Sequence, residues 1–597
     1  MCRISGLVNY SIPVSLKQQM VEGMCDVQKN GGPDDGGVYV SDDENVILGN
    51  RRLALLDLSS SGHQPMHYKN RLTITYNGEL YNFPSLKKEL QHLGHSFENH
   101  TDTEVILAAF DEWNTNSFSK LEGMFAFSLY DKQENHVYLV RDSVGIKPLY
   151  YSLANGGLSF ASEVRAFKSI DYSWKENEYW QVYLMAYGHI PEPYTTYEEI
   201  LSLHKGSFLK FDISTRQSHT QSFGHYNYSS QILKDVPLTS MIRNAIEKSV
   251  GSQLLADAPL GIFLSGGIDS SILALTASKV QNKSLNCLSL YFNEEGFSEK
   301  KYQDLVLQEI SCSSHQYLLS KEIFNESFPD VLKDMDLPSC DGINTWFISK
   351  YAHELGLKAV LSGIGADELF GGYPSFKRME IAERLRLLPG FLLNSFSKSK
   401  QKKFNRLSYL NIDGIKGLYL FLRGQFNISE IARFLDADEK QVWKILNDTP
   451  VMGDVSNLEN RNRASWMEFN MYMQNQLLRD ADVMSMAHSV EIRVPFLDHE
   501  LINLAMSVSP DVKYAGQRPK QLLIDSFRDI LPEPVWNRPK MGFSFPFSNW
   551  IKNNSFVDTL MMQGDSNSRT YYNKFLNGNL HWSQMMSLII MRSRNEE

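Results

Sequence analysis

The amino-acid sequence predicts two domains of different construction, an N-terminal domain of short strands and a C-terminal α/β domain. A chain of 597 residues is too long for a single hydrophobic core. Up to about residue 205 it shows short strand patterns separated by turns, whereas beyond Leu238 helical patterns alternate with buried strands. We therefore place the first domain at residues 1–210, a linker at 211–235 and the second domain at 236–597.

Turn residues bound the strand patterns of the first domain. Residues 136–141 are β-like, and residues 158–162 follow Asn155-Gly156-Gly157, a turn sequence typical of hairpins. Helical patterns occur near residues 86–93 and 103–113. The stretch from about residue 203 to 238 is polar, rich in aromatic residues and without clear periodicity, which indicates the end of this domain.

The second domain opens with alternating helices and strands. Residues 241–255 predict a helix, 261–264 a buried strand and 270–279 a second helix. Residues 287–292 and 359–362 predict two further strands. Strands that alternate with helices in this way are typical of a parallel sheet.

A glycine-rich turn joins the strand at 261–264 to the helix that follows it. Its sequence is Ser265-Gly266-Gly267-Ile268-Asp269-Ser270-Ser271. At such a turn, backbone N–H groups and the helix dipole converge on an anion, and glycines let the backbone approach a phosphate. The serines offer hydroxyl groups and Asp269 offers a carboxylate for Mg²⁺. The pattern differs from the P-loop, and we predict that it holds a pyrophosphate group.

Cys2 is a candidate nucleophile because it becomes the first residue once Met1 is removed. The freed α-amino group has a pKa of about 8 and can accept the thiol proton, as in other N-terminal nucleophiles. The alternative is an ordinary buried cysteine, since free cysteines are among the most buried residues.

Composition excludes several classes of protein. The formal net charge of −10 and the pI near 5.9 argue against a nucleic-acid partner. Five dispersed cysteines without a Cys-x-x-Cys pair argue against a structural zinc site or a disulfide framework. We find neither a membrane span nor a signal peptide in the sequence, and we expect a cytoplasmic protein.

Four further segments accompany Cys2 in the first domain, at residues 51–57, 62–66, 76–82 and 101–104. With these segments and the glycine-rich turn, nearly all of the chain resembles the B-type, glutamine-hydrolysing asparagine synthetases. The resemblance implies an N-terminal αββα sandwich of the N-terminal nucleophile type. It also implies a C-terminal domain that cleaves ATP between its α and β phosphates.

The resemblance assigns roles to residues of the glutaminase half. Cys2 is the nucleophile, and Asn77 and Gly78 form an oxyanion hole, where each donor is worth on the order of 3 kcal/mol. Arg52 holds the glutamine carboxylate in a bidentate fork. Asp102, with groups near Glu79, holds the glutamine ammonium.

The resemblance likewise assigns residues of the synthetase half. Asp269 and Asp367 would bind Mg²⁺, and Lys520 would contact pyrophosphate and stabilise developing charge. Leu290 would lie against adenine. The full set implied to bind ATP is Leu264, Ser265, Gly266, Gly267, Asp269, Ser270, Ser271, Leu290, Ser362 and Gly363.

Two departures from the family pattern lie in the first domain. The family usually has glycine after the cysteine, where this chain has Arg3, and His-Arg before Gly-Pro-Asp, where it has Asn30-Gly31. We expect Arg3 to crowd the site or to lower the pKa of the Cys2 thiol. In the second domain, the charges between Asp482 and Asp498 are expected to form a buried ion network or to belong to the site.

A third departure concerns the acceptor. The family often has glutamate where this chain has Ile364, which cannot accept a proton. We expect residues 336–338 and 341–346 to line the acceptor pocket. The first hypothesis is the conversion of aspartate to asparagine through an acyl-adenylate, with AMP and pyrophosphate as products. The second is amidation of another carboxylate, such as a uronic acid in polysaccharide biosynthesis, and the third is a non-catalytic protein that binds glutamine or a nucleotide. A homodimer is possible.

Overall fold

The structure is a computed structural model that describes residues 2–232, 237–280, 285–294, 296–397, 404–451, 453–542 and 545–594. Residues 233–235 of the predicted linker and residue 236 lie outside the described residues. No helix in the described ranges combines the length and the apolar character that crossing a membrane requires.

Two antiparallel six-stranded sheets form the first domain. One has the order β10-β8-β9-β1-β3-β2 and the other the order β12-β11-β7-β6-β5-β4. The strands are β1 (Cys2–Val8), β2 (Asp35–Val40), β3 (Val46–Arg52), β4 (Met66–Tyr68), β5 (Leu72–Leu80), β6 (Gly123–Asp131), β7 (His136–Arg141), β8 (Tyr150–Ser152), β9 (Leu158–Ala161), β10 (Leu201–Ser202), β11 (Ser207–Asp212) and β12 (Ser218–Ser222).

A parallel five-stranded sheet, in the order β15-β14-β13-β16-β17, forms the centre of the second domain. Its strands are β13 (Leu260–Phe263), β14 (Leu285–Tyr291), β15 (Cys312–Leu318), β16 (Ala359–Leu361) and β17 (Glu491–Arg493). The chain runs outward from β13 through β14 to β15 and then returns to the other side of β13. This reversal places a crevice at the carboxyl ends of β13 and β16, where ligands of α/β sheets bind.

Helices cover both domains. They are α1 (Val14–Val27), α2 (Phe83–His92), α3 (Asp102–Trp113), α4 (Trp180–Tyr187), α5 (Leu238–Gln253), α6 (Ile268–Val280), α7 (Lys300–Leu307), α8 (Lys321–Asp334), α9 (Ile343–Glu354), α10 (Ala366–Phe370), α11 (Ser375–Arg386), α12 (Gly390–Ser397), α13 (Gly414–Arg423), α14 (Ile428–Leu435), α15 (Glu439–Asp448), α16 (Asn460–Met467), α17 (Arg479–Met486), α18 (His499–Ser507), α19 (Pro510–Lys513), α20 (Gln521–Ser526), α21 (Glu533–Trp536), α22 (Phe547–Ile551), α23 (Ser555–Met562), α24 (Ser566–Leu576) and α25 (Trp582–Arg594). A π-helical segment, Glu468–Leu478, joins α16 to α17.

The layers of the first domain follow the predicted αββα order. Helix α1 packs on β1 and β3, the two sheets face each other through β1 and β5, and α3 packs on β5. Local sequence explains where α3 starts: the Thr101 hydroxyl accepts a hydrogen bond from the Glu104 N–H, and acidic residues occupy the first turn. The predicted fold class is therefore confirmed, with a parallel-sheet domain after the sandwich.

The end of the first domain lies later than the sequence indicated. Strand β12 (Ser218–Ser222) pairs with β11 and extends the second sheet into the range that was assigned to the linker. Every residue of β12 is exposed, because it is an edge strand with a polar sequence. A fully exposed strand has no apolar face, so its sequence does not alternate between apolar and polar residues. The sequence therefore gave no sign of β12.

One hydrophobic core runs through both domains. It contains Leu7 and Trp180 from the first domain together with Ile262 and Leu361 from the second. The two halves are therefore packed against each other along a shared apolar interface. Their predicted sites are held in a fixed relation by that interface.

Candidate active sites

Strand β1 begins with the predicted nucleophile. Cys2 is buried, with 6% of its surface exposed, and pairs across the sheet with Arg52 on β3. The backbone N–H of Cys2 donates to Oδ1 of Asn77 over 3.1 Å. Nδ2 of Asn77 is buried and has no hydrogen-bond partner among the described residues. The amide of Asn77 therefore orients the first residues of β1 and keeps one donor for a ligand beside the thiol.

Burial raises the pKa of the Cys2 thiol, while the charged amino terminus, the Leu53 backbone N–H and the Arg52 guanidinium act in the opposite direction. The neutral thiol is favoured in this position, so attack on an amide requires a base close to the sulfur. An α-amino group on Cys2 itself would be such a base.

Backbone carbonyl groups fix the guanidinium of Arg52. It donates to the carbonyl oxygens of Leu56 at 3.3 Å, Asp57 at 2.5 Å and Ser59 at 3.0 Å. Gly62 gives it room, since a Cβ atom at that residue would lie 1.9 Å from Nη2 of Arg52. Arg52 forms no ion pair within the described ranges, which leaves its charge available for a carboxylate ligand.

Two buried carboxyl groups lie near the same pocket. Oδ2 of Asp102 accepts hydrogen bonds from the Tyr76 hydroxyl and the Leu80 N–H, each at 2.9 Å. Oε1 of Glu79 lies 3.4 Å from Nη2 of Arg493. Burial raises the pKa of Glu79 to about 8, against the lowering effect of Arg493. Both groups would gain from an ammonium ligand, which supplies the charge that burial disfavours.

Gly78 is required by the close approach of β5 to β6. A Cβ atom at residue 78 would lie 2.1 Å from the carbonyl oxygen of Met124 and 2.7 Å from Cα of Phe125. Any side chain would push the strands apart and displace Asn77 with them. The role of Gly78 in an oxyanion hole stays a prediction, and so do the other glutaminase roles.

The expectation for Arg3 was wrong. Successive side chains of a strand point to opposite faces, so Arg3 points away from the thiol. Its Nε lies 2.7 Å from Oε1 of Glu163 and its Nη1 lies 2.8 Å from Oδ2 of Asp482 in the second domain. Arg3 is fully buried, and its charge is neutralised by these two carboxylates rather than acting on Cys2.

The second departure explains how Arg3 fits. A Cβ atom at Gly31 would lie 2.6 Å from Cγ and 2.8 Å from Nε of Arg3. The side chain of Arg3 therefore fills the space into which a side chain at residue 31 would project. The family pattern has glycine at position 3 and arginine at position 31, whereas this chain has Arg3 and Gly31. This chain therefore supplies a guanidinium from the opposite side of the same space.

Charges between Asp482 and Asp498 belong mainly to a buried network at the domain interface. Arg493 pairs with Glu491 at 2.7 Å and with Glu79 of the first domain. It also donates to the carbonyl oxygens of Gln253 and Leu255 at 2.8 Å and 2.7 Å. The network joins β17 to the predicted glutamine site.

In the second domain, the glycine-rich turn leaves β13 and enters α6. The Ser265 and Ser270 hydroxyls are 2.9 Å apart, and the Gly267 N–H donates to Oγ of Ser265 over 3.2 Å. Gly266 has a φ of 83°, and a Cβ atom there would lie 3.0 Å from the Gln303 nitrogen. The turn thus curls tightly in front of the amino end of α6, as a phosphate-binding loop requires.

A cavity of about 260 Å³ lies at the carboxyl ends of β13 and β16, and we call it the inner cavity. Most residues that were predicted to bind ATP line it: Leu264, Ser265, Gly267, Asp269, Ser270, Leu290, Ser362 and Gly363. Gly266 and Ser271 do not. Gly266 accepts a hydrogen bond from Nη2 of Arg538 at its carbonyl oxygen, and Ser271 is fully buried.

A second cavity of about 730 Å³, the outer cavity, adjoins the first and shares Ser265, Asp269 and Asp367 with it. Four cationic residues line it, namely Arg518, Lys520, Arg538 and Lys540. Four carboxyl groups, those of Asp269, Glu299, Asp341 and Asp367, line it as well. Its position in front of the glycine-rich turn and its four cationic side chains suit a polyphosphate. The inner cavity differs from it, since the charged residues that line the inner cavity within the described ranges are all carboxylates.

Asp269 and Asp367 converge on Lys520. Nζ of Lys520 lies 2.8 Å from Oδ2 of Asp269 and 2.7 Å from Oδ1 of Asp367, and Lys540 lies 2.7 Å from Oδ2 of Asp367. Burial opposes ionisation of Asp367, but the two ammonium groups prevail and lower its pKa to about 2. Gly372 is needed here, because a Cβ atom there would lie 1.6 Å from Oδ1 of Asp367.

The acceptor side of the inner cavity was predicted in part. Ile364 lines it, and so do Asp341, Asn344 and Thr345 from the segment 341–346. Asp336 does not line it. Its two carboxylate oxygens accept hydrogen bonds from the N–H groups of Val164 and Arg165, each at 2.8 Å, because it caps a turn of the other domain at the interface.

Sequence reasoning missed several residues of the two cavities. Glu368 and Asp480 line the inner cavity, and Arg538 and Lys540 line the outer one. Arg538 and Lys540 belong to a segment that matches the family pattern, which was a usable signal. Asp480 had none, because it lies in a buried helix far along the chain.

Comparisons with known proteins agree with this architecture. Residues 241–580 match the family model for asparagine synthase, and residues 1–223 match that for a glutamine amidotransferase domain. Asparagine synthetase [glutamine-hydrolyzing] 1 of Bacillus subtilis is 30% identical, over 92% of this chain and 88% of its own length. Amidase chry2 of Gibberella zeae is 26% identical, over 89% of this chain and 85% of its own.

Among solved structures, the glutamine phosphoribosylpyrophosphate amidotransferase of B. subtilis matches with a TM-score of 0.29 and 15% identity, over 50% of this chain and 68% of that one. The chain belongs to the asparagine synthase family and carries an N-terminal glutamine amidotransferase domain. The resemblance inferred from the motifs is thereby confirmed.

Proposed function

We propose that this member of the asparagine synthase family amidates a carboxylate with nitrogen from glutamine, and that it cleaves ATP to AMP and pyrophosphate. The observation that carries the proposal is the pairing of two sites in one continuous core. One has a buried thiol beside Arg52 and an unpartnered amide of Asn77. The other has a glycine-rich turn beside a cavity lined by carboxyl groups and a cavity that also presents four cationic side chains.

In the glutaminase half, removal of Met1 would free the α-amino group of Cys2. The amine takes the thiol proton while the sulfur attacks the side-chain amide carbon of glutamine. Nδ2 of Asn77, with the Gly78 N–H, stabilises the oxyanion. The proton passes to the leaving nitrogen, ammonia departs, and water then hydrolyses the thioester to glutamate. Arg52 binds the glutamine carboxylate, and Asp102 with Glu79 binds its ammonium.

In the synthetase half, an oxygen of the acceptor carboxylate attacks the α-phosphorus of ATP and pyrophosphate leaves. Ammonia then attacks the acyl carbon of the adenylate and AMP leaves, which gives the amide. The cations of the outer cavity, Lys520 foremost, bind the pyrophosphate and offset the charge that develops on it.

Asp269 and Asp367 fit a Mg²⁺ ion, because both carboxylates lie within 2.8 Å of the Lys520 ammonium group and are therefore close enough to each other to share a cation. One or two carboxylates together with phosphate oxygens is the usual protein environment of Mg²⁺. When bound, the ion would neutralise charge on the phosphates. Lys520 holds the two carboxylates in position on the protein side.

Aspartate is the acceptor that the names of the relatives suggest. Another carboxylate is the second candidate, and two observations favour it. Ile364 lines the cavity where the family often has glutamate, and no cationic residue lines the inner cavity within the described ranges. Aspartate keeps a second carboxylate after its side chain is adenylated, and that group would find no cationic side chain in the described lining of the inner cavity.

The test is an assay of the purified chain with glutamine, ATP, Mg²⁺ and a panel of carboxylates, in which glutamate, AMP and pyrophosphate are measured together. We expect AMP and pyrophosphate in equal amounts, only when an accepted carboxylate is present, and ammonium chloride should replace glutamine. Release of ADP and phosphate, or glutamate formation with no AMP for any carboxylate, would contradict the proposal.

A further inference from the structure

The acceptor side of the inner cavity presents carboxyl groups without matching cations. Asp341, Glu368 and Asp480 line it beyond Ile364, and within the described ranges no arginine, lysine or histidine does. These three residues are mostly or fully buried, with Glu368 only 1% exposed and Asp480 6%. They form no cluster of three acidic or histidine ligands able to hold a metal ion within the described ranges.

The protein partners of these carboxyl groups are mainly neutral. Glu368 accepts a hydrogen bond from the Tyr373 hydroxyl at 2.8 Å. Asp480 accepts one from the Ser339 hydroxyl, and Asp341 accepts one from the Gly342 N–H at 2.8 Å. Neutral donors satisfy single oxygen atoms but supply no net positive charge.

Of the two nearby guanidinium groups, Arg479 pairs with Asp480 and Arg423 pairs with a carboxylate outside the cavity wall. Nε of Arg479 lies 3.6 Å from Oδ1 of Asp480, but its Nη1 donates to the Ile190 carbonyl at 3.0 Å, toward the domain interface. Arg423 pairs with Glu468 at 2.6 Å and lies over the Tyr472 ring. Neither lines the inner cavity. The negative charge on the acceptor side is therefore offset only in part by the protein, through the 3.6 Å pair between Arg479 and Asp480.

Burial has the expected consequence for these groups. It raises the pKa of Asp480 to about 7, and it raises the pKa of Asp341 as well. Buried carboxylates are costly unless a cation accompanies them. A ligand ammonium would remove that cost, whereas a ligand carboxylate would increase it.

The glutamine site of the same chain shows what an amino acid needs. It offers Arg52, free of any ion pair in the described ranges, for a carboxylate, and it offers Asp102 and Glu79 for an ammonium. The inner cavity offers only the second half of this arrangement. A substrate that keeps a free α-carboxylate is matched in one site and mismatched in the other.

We propose that the acceptor carries an ammonium group and a single carboxylate, the one that becomes the amide. The proposal rests on the function proposed above and names the substrate class of its synthetase site. Aspartate satisfies only one of the two conditions. β-Alanine, which is aspartate without its α-carboxylate, satisfies both, and an amino sugar acid satisfies both with added hydroxyl groups.

The test is the Mg²⁺-dependent exchange of pyrophosphate into ATP with four matched acids. Aspartate has the amine and a second carboxylate, succinate only the second carboxylate, β-alanine only the amine, and propionate neither. Galacturonate and its 2-amino-2-deoxy counterpart form a larger pair. We expect the amine to raise kcat/KM for exchange by about tenfold to a hundredfold, the size of a charge-assisted hydrogen bond, and the second carboxylate to lower it.

Asp341→Asn keeps the shape of the wall and should reduce the advantage of β-alanine over propionate by a similar factor. The proposal is overturned if aspartate or succinate exceeds β-alanine, or if the amine has no effect, and both results leave the proposed function standing. Absence of exchange with all six acids also overturns it. The proposed function fails separately, when no carboxylate of the wider panel yields AMP.

Discussion

Exchanging residues 3 and 31 tests how the nucleophile strand is tied to the second domain. Arg3→Gly removes a fully buried guanidinium that pairs with Glu163 at 2.7 Å and with Asp482 at 2.8 Å. Gly31→Arg in the same chain restores a guanidinium, because the Cβ direction of residue 31 points at the Arg3 side chain. The double variant therefore places glycine and arginine where the family pattern has them.

The size of the effect follows from the partners that remain. Removal of one member of a buried ion pair costs about 3–5 kcal/mol. Glu163 keeps Arg165 at 2.5 Å and Asp482 keeps Lys147 at 3.5 Å, so neither carboxylate is left alone. We expect about 3 kcal/mol for Arg3→Gly, which is a fall in Tm of about 6–12 °C for a domain of this size.

Calorimetry of the four proteins, namely the parent, the two single variants and the double variant, measures the coupling. Gly31→Arg alone should also destabilise, because its side chain would overlap Arg3. The double variant should be more stable than the sum of the single effects by about 1–3 kcal/mol. Arg51→Gly is a control, since its partner Asp26 is largely exposed and the loss should be under about 1 kcal/mol. Additive effects in the double variant would refute the reasoning.

Three further predictions concern catalysis. Cys2→Ala should abolish glutamine-dependent amide formation and spare the ammonia-dependent reaction, whereas Cys25→Ala should spare both; glutamate release at the parent rate would exclude Cys2. Asp367→Asn should remove AMP formation and leave glutamine hydrolysis intact, and unchanged AMP would exclude a metal role. Ile364→Glu should raise the amide formed per AMP, by up to about 10²-fold if it acts as a base; an unchanged ratio would show that no proton acceptor is missing there.

Much of the fold could be predicted because local pattern determines it. The strand before Ser265, the glycine-rich turn and helix α6 (Ile268–Val280) follow from hydrophobic periodicity and from glycine. The strand predicted at residues 359–362 became β16 (Ala359–Leu361), beside β13. Most of the residues that the motifs predicted to bind ATP line one cavity in the structure.

Long-range partners could not be predicted in this way. Nothing near Arg3 in the sequence reveals that its guanidinium meets Asp482 in the other domain. Strand β12 is exposed and polar, so its sequence lacks the alternation of apolar and polar residues that marks a half-buried strand, although it forms the edge of a sheet. Asp480 lines the inner cavity because the junction between the π-helical segment and α17 forms part of the cavity wall.

The two sites share charged residues as well as a core. Glu79 belongs to the predicted ammonium site of glutamine, and it is paired with Arg493 at the end of β17 in the sheet of the second domain. A glutamine ammonium bound as predicted would share this carboxylate with Arg493. Asp482, which holds Arg3 beside Cys2, lies in the same helix as Asp480 in the acceptor wall. Helix α17 therefore reaches both halves of the molecule, because Asp480 lines the inner cavity and Asp482 binds the guanidinium of Arg3 on the strand of Cys2.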